Sequence, residues 1–281
     1  MPIIEQMDEQ EYRSHPSVAN SDLTTFRRSP AHLIARRETP DKVTPAKLDG
    51  RALHCAILEP DDFLSRYCVL PADAPKDQRH HRGAAKPAPA TLASIDWWDN
   101  WTASNGNRII LTAEDYDSKM RVAANVREHP ALKAYFDTPG QSEVSLFAND
   151  PETGTGVKAR PDRIVTIGGY RVMLDPKSTD DARADAFSRS AYTYSYFQQA
   201  AFYTDVSCWC GQEIDLFLFI AFEKEAPYGV KVYEVSDDDL EFGRRQYRKA
   251  LDAYAACVNA DEFPCYSTDI EVLTRPAWAK E

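Results

Sequence analysis

No run of apolar residues in this chain of 281 approaches the ~18–20 needed to cross a bilayer. The longest candidate, 214–222, is interrupted by Asp215 and predicts a buried strand instead. The opening residues Met1-Pro2-Ile3-Ile4-Glu5-Gln6 lack the basic start and apolar stretch of a signal peptide. The expected location is therefore the cytoplasm, with no membrane partner. Paired cysteine spacing is missing too. Cys55, Cys68, Cys208, Cys210, Cys257 and Cys265 make no CxxC pair and no zinc-ribbon pattern. That argues against thiolate metal sites and an iron–sulfur cluster, leaving buried, reduced thiols as the expectation. Positive charge is also short, with 33 Lys and Arg against 44 Asp and Glu and a net charge of −11. Such a balance disfavours phosphate binding by charge alone. An acidic site can still handle phosphates through a cation that reverses the local charge. The basic residues that do occur cluster at Arg27-Arg28, Arg36-Arg37, 76–86, and Arg244-Arg245 with Arg248-Lys249.

A hydrophobic fraction of 43% is ample for a packed core, and there are no internal repeats. One domain over 1–281 is expected, with a mainly helical part at 1–135, a core at 136–265 and a tail at 266–281. Helices are predicted from Ser21, from Pro30, over 46–58 and from Thr112 to about Glu128. The prolines at 71, 75, 87 and 89 predict a mobile loop over 71–90. Trp97, Trp98 and Trp101 follow at roughly helical spacing, where core packing is the first expectation and base stacking the second. Strands are predicted over 143–148, 157–167, 170–177, 215–222 and 229–235, with helices over 191–206 and 236–260. The order predicts an α/β class domain with one central mixed sheet flanked by helices.

Gly168-Gly169 between two strands is a strong hairpin signal. With a two-residue loop, Ile167 faces Tyr170, and the same register sets Asp162 opposite Asp175. Cross-strand partners have Cβ atoms ~4.5–5.5 Å apart on one face, and Lys177 projects from that face as well. Two carboxylates held so close repel unless something neutralises them. A hard cation such as Mg²⁺ takes oxygen ligands and would do so. The Pro176 carbonyl could face the ion, and Lys177 could orient water or stabilise charge on a phosphate. Pro176 has no N–H to give a sheet, so the strand is expected to end or bulge there. Alone, the trio also fits a surface ion-pair cluster, and His54 on its apolar helix face fits a core histidine.

Pro161-Asp162 followed by Asp175-Pro176-Lys177 resembles the PD-(D/E)xK nuclease motif. Adding His54 upstream and Gln199-x-x-x-Tyr203 downstream gives an order similar to the RecB/RecE branch of that superfamily. Ser21-Asp22-Leu23, 53–60, 150–154, Arg160-Pro161-Asp162, 201–205 and Trp278-Ala279-Lys280-Glu281 further resemble the C-terminal nuclease domain of the exonuclease VIII (RecE) family. The resemblance implies a restriction-endonuclease-like core with an N-terminal helical extension. It implies a Mg²⁺-dependent exonuclease (Mn²⁺ as alternative) on double-stranded DNA ends, degrading the 5′ strand and leaving a 3′ overhang. A ring-shaped homotetramer and a single-strand annealing partner of the RecT type, in phage-type recombination, are implied with it. Carried over residue by residue, His54, Asp162, Asp175 and the Pro176 carbonyl would bind metal. Lys177 would be catalytic, Glu143 would add an acid on the preceding strand, and Gln199 and Tyr203 would hold the DNA. Two other readings stay open: a related RecB-like repair nuclease, and a catalytically silent prophage protein that binds DNA or another protein.

Overall fold

Capping side chains and first-turn prolines set the N-terminal elements of the structure, a computed structural model describing residues 2–39, 44–106 and 108–275. Strand β1 (Ile3–Glu5) leads to α1 (Glu9–Ser14), where the Asp8 carboxylate accepts from the Gln10 N–H. Strand β2 (Val18–Ala19) runs into α2 (Asn20–Phe26), and Ser29 caps α3 (Pro30–Glu38). Thr44 caps α4 (Pro45–Leu58), and α5 (Pro60–Arg66) follows at once. Each proline sits in a first turn, where its missing N–H has no intrahelical partner to lose. Then come β3 (Tyr67–Val69), α6 (Pro89–Asn105), β4 (Ile109–Leu111), α7 (Ala113–Arg127) and α8 (Lys133–Asp137).

The core strands are β5 (Gly140–Ser142), β6 (Ser145–Asn149), β7 (Gly156–Ala159), β8 (Arg163–Ile167) and β9 (Tyr170–Thr179). Helices α9 (Ala184–Thr193) and α10 (Tyr196–Trp209), strands β10 (Leu216–Glu223) and β11 (Val230–Glu234), and α11 (Asp237–Ala260) close the chain. The main sheet has the order β11-β10-β9-β8-β5 and is mixed, β9 and β10 being parallel and the other pairs antiparallel. Strand alternation sends Ile164, Met173, Phe217 and Phe219 into a core with α2, α10 and α11. Val165, Val172, Leu174, Leu218 and Ile220 point the other way, against α4 and α7. Both faces are covered, which is why β10 is apolar almost throughout.

The expected single sheet is in fact divided. A second sheet, β1-β6-β7-β2, stands beside the first, and β3 pairs with β4 alone. The 157–167 strand splits into β7 and β8, and the 143–148 strand starts only at Ser145. One physical reason covers both. Glu143 adopts a left-handed φ of 53°, which bends the chain between β5 and β6. Opposite it, Arg160-Pro161-Asp162 carries the return strand from one sheet to the other. Glu143 N–H still donates to the Asp162 carbonyl at 3.1 Å, so the hairpin keeps its register through the bend. Strands β1 and β2 edge this second sheet, so the mainly helical N-terminal part also completes the core.

Three further expectations need correcting. The 191–206 helix is two helices, broken at Ser195, whose φ of 59° no α-helix accommodates. Cys208 and Cys265 are exposed, and only Cys55 and Cys68 are fully buried; all six are free thiols. Strand β9 neither ends nor bulges at Pro176 but continues to Thr179 in unbroken register with β10. The Arg171 carbonyl accepts from Asp215 on the β10 side. Even-numbered residues of β9 therefore address the β8 side, and β8 pairs no further than Arg163 opposite Leu174. The N–H that Pro176 lacks would have had no ladder partner.

The hairpin turn is as expected, with Gly168 and Gly169 both at positive φ. Of the expected loop, 71–88 is irregular apart from one 3₁₀ turn (Arg79–His81), and 89–90 already belong to α6. The loop is tied to that helix through Trp98 Nε1 to the Pro75 carbonyl (2.8 Å) and Ser94 Oγ to the Lys76 carbonyl (2.7 Å). Trp98 is buried, so packing accounts for it. The 278–281 segment lies outside the described residues. Among the described residues no helix is long and apolar enough to cross a membrane.

Helices α10 and α11 touch backbone to backbone at Gly243. A Cβ there would stand 2.0 Å from the Phe197 carbonyl oxygen. Gly243→Ala must push the two helices apart, at a cost of about 3 kcal/mol or more. Urea denaturation is expected to show this as a lower midpoint with an unchanged slope.

Candidate metal centre

The centre assembles where the β8–β9 ladder ends. Paired residues run from Ile167 and Tyr170 to Arg163 and Leu174, and one further step sets Asp162 beside Asp175. Asp175 is 1% exposed. Its Oδ1 lies 2.6 Å from Lys177 Nζ, and its Oδ2 accepts from Gln199 Nε2 at 2.9 Å. Lys177 shares the Asp175 face because the two residues are two apart on β9. Its Nζ stands 5.0 Å over the Tyr196 ring.

Helix α4 packs on the opposite face of the sheet and delivers His54 to the same place. Its Nδ1 is 3.9 Å from Asp162 Oδ2, and the Pro176 carbonyl lies beside the ring. Glu143 arrives from the bend, not from a strand as expected, and is gripped by Arg160 Nε at 2.9 Å. His54, Glu143 and Asp162 each offer one ligand atom, all within 4.8 Å of one another.

The electrostatics are those of a site built for a cation. Burial, then the nearby Asp175 charge, pushes the Asp162 carboxyl well above the ordinary carboxylate range. Asp162 Oδ2 is buried and accepts no hydrogen bond, an orphan that a protein interior rarely leaves. Burial, together with Lys177, pushes His54 down to about 4, so its imidazole is neutral at ordinary pH and free to ligate. Burial works against the Lys177 ammonium, but Asp175 and then Asp162 outweigh it and hold the group above the usual lysine range. Glu143 is raised chiefly by burial, against the pull of Arg160. One imidazole and two carboxylates around an unsatisfied oxygen fit a divalent cation.

All eight residues expected from the sequence fall in or beside this region. His54 and Asp162 converge with Glu143. Asp175 stands next to that trio, engaged with Lys177 and Gln199, and the Pro176 carbonyl faces His54. Gln199 and Tyr203 share one face of α10, as their spacing requires, and Gln199 is spent on Asp175. Tyr203 is held neutral by burial, with Tyr12, Asp162, Asp175 and Glu143 all adding to the effect. Sequence reasoning missed Tyr196 and the Arg160 grip on Glu143. Tyr196 was within reach, three residues before Gln199 on the same helix face. Arg160 was not, since its partner is set by the bend.

The PDDEXK-like domain of unknown function matches residues 19–276 of the chain. No curated protein matches it. Among solved structures, a candidate exonuclease from Eubacterium rectale is similar with a TM-score of 0.58 at 14% identity, covering 97% of this chain and 96% of that one. A second, SSO0001, has a TM-score of only 0.30 at 12% identity over 63% of this chain and 83% of that one, too low to inform the fold. With Asp162, Asp175 and Lys177 gathered at one hairpin end and the match spanning nearly its whole length, the chain belongs to the PDDEXK-like family, within the PD-(D/E)xK nuclease superfamily.

Proposed function

We propose that the protein is a metal-dependent exodeoxyribonuclease that hydrolyses phosphodiester bonds from the ends of linear duplex DNA. The observation that carries this reading is the convergence of His54, Glu143 and Asp162 around an unsatisfied Asp162 oxygen, beside the Asp175–Lys177 pair. His54 and Asp162, with Glu143 or Asp175, would hold Mg²⁺, and Mn²⁺ would substitute. When bound, the cation supplies Lewis acidity toward a phosphoryl oxygen and toward water.

The chain's own groups do the rest. Lys177, kept protonated by Asp175 and Asp162, presents a fixed positive charge where the phosphate gains negative charge. Tyr196 and Asp175 hold that ammonium in place before substrate arrives, and Gln199 fixes the second oxygen of Asp175. Arg160 clamps Glu143 so that its carboxylate faces Asp162 and does not swing into solvent.

Action from DNA ends, a 5′-to-3′ direction leaving a 3′ overhang, a ring tetramer and a RecT-type annealing partner belong to this proposal. The motif order shared with the RecE family supports them, and the fold shared with a candidate exonuclease supports end-directed action. Duplex labelled at either end and incubated with Mg²⁺ tests it. Linear DNA should disappear with loss of the 5′ label first, while covalently closed circles survive. Nicking or cutting of the circles at a comparable rate would replace the exonuclease by an endonuclease.

A further inference from the structure

The basic cluster near the chain's end sorts by helix face. On α11, Arg244 is committed to Asp205 and Glu241, and Arg248 to Asp150 and Asp252. Each is thus tied into structural networks. Arg245 and Lys249 lie one residue further round and turn instead to a groove of about 420 Å³ between α2 and α11. Phe26, Arg27 and Phe242 line the same groove. Arg245 keeps only a 3.5 Å contact with Glu241, which Arg244 already holds at 2.9 Å. Lys249 makes no ion pair among the described residues. Arg27 is half spent, donating to Gln198 Oε1 at 2.9 Å. In a chain of net charge −11, three cations and two phenyl rings around one groove call for an anionic, aromatic ligand.

A second observation joins the groove to the metal centre. Two tyrosines are exposed here, Tyr192 (68%) in the last turn of α9 and Tyr194 (65%) in the break before α10. Tyr194 stacks on Tyr196 (centroids 5.8 Å, planes 28° apart), whose ring lies under the Lys177 ammonium. Tyr192 stacks on Phe242 (6.2 Å, 26°), a wall of the groove. The rings therefore step from Lys177 through Tyr196 and Tyr194, and from Tyr192 through Phe242 into the groove. Exposed rings followed by cations are what a single strand needs: faces for unstacked bases and charges for phosphates. Duplex DNA offers no free base faces to such rings.

From this juxtaposition we infer that Tyr192, Tyr194, Phe242, Arg245 and Lys249 form a single-stranded DNA track leading to or from the metal centre. The direction of the strand toward a scissile bond rests on the nuclease reading; the binding surface itself does not. The test is fluorescence anisotropy of a short labelled oligothymidylate in EDTA, so that nothing is cut. Tyr192→Ala with Tyr194→Ala should weaken binding about tenfold or more. Tyr192→Phe with Tyr194→Phe should restore it, because the ring is what stacks. Arg245→Ala with Lys249→Ala should lower the slope of log affinity against log salt by about 1.4, the value for two single-strand phosphates. All four positions are at the surface, and thermal melting checks that the variants fold.

No binding by the unmodified protein, or equal binding by the alanine variants, would overturn the track. So would losses confined to a blunt duplex of the same length, which would make the surface a duplex contact. A protein that binds the oligonucleotide through these residues yet digests nothing with Mg²⁺ keeps the track and loses the nuclease centre.

Discussion

Lys177→Ala is expected to lower DNA hydrolysis by about 10²–10³-fold, the usual cost of removing one preorganised charge donor. Binding of duplex in EDTA should persist. The ammonium is held by Asp175 Oδ1 at 2.6 Å and by the Tyr196 ring at 5.0 Å. Its protonated state makes it a charge stabiliser in the resting protein, not a base. Removing it also leaves a buried carboxylate with one partner fewer, which costs stability. Lys177→Gln keeps most of the length and a donor for Asp175, and so separates loss of charge from loss of fold. Both variants should be inactive, and Lys177→Gln should melt closer to the unmodified protein. Lys177→Arg should not rescue, since a planar guanidinium cannot occupy the place of a compact ammonium. Full digestion of end-labelled duplex by any of the three would remove Lys177 from the mechanism.

Asp162→Asn should make the metal-free protein more stable while destroying its function. In EDTA the buried Asp162 carboxyl is raised by burial and by Asp175. The sign follows from proton binding. Between the ordinary carboxylate range and the raised folded value, the folded state holds a proton that the unfolded state has released. Stability therefore falls as pH rises through that interval. Asparagine carries no such charge, so the gain appears above about pH 4, the unfolded value, and is complete above the folded value. For a domain of roughly this size about 1 kcal/mol shifts melting by ~2–4 °C, so a rise of a few degrees in EDTA at pH 8 is expected. Metal ions should stabilise the unmodified protein further, with proton release on binding, and leave Asp162→Asn unmoved. Scanning calorimetry with EDTA, Mg²⁺ and Mn²⁺ reads all of this. A lower melting temperature in EDTA for Asp162→Asn would mean that the carboxylate is structurally satisfied and not waiting for a cation.

The hairpin was legible because its rule is local. Two glycines fix a turn, the turn fixes the register, and the register sets Asp162 against Asp175 without any tertiary information. Gln199 and Tyr203 were legible as one helix face for the same reason. The division into two sheets was not, because it depends on one residue. Nothing in Glu143 itself announces a left-handed backbone, and an alternating pattern continues unbroken across it. The Pro176 expectation failed for a related reason: whether a missing N–H matters depends on where the neighbouring strand stops. His54 reached the centre from the opposite face of the sheet, a convergence that motif order implied and that no periodicity could reveal.

The bend at Glu143 and Arg160-Pro161-Asp162 has a mechanical meaning. Glu143 and Asp162 lie at the fold line of a creased ribbon, one panel in each sheet, while Asp175 belongs wholly to one panel. The acids of the centre are therefore held by the join between the two sheets and not by either sheet alone. The short strands β1 and β2, drawn from the first residues of the chain, stiffen the smaller panel along both of its edges. The centre thus depends on a join whose smaller side is completed by residues far from it in sequence.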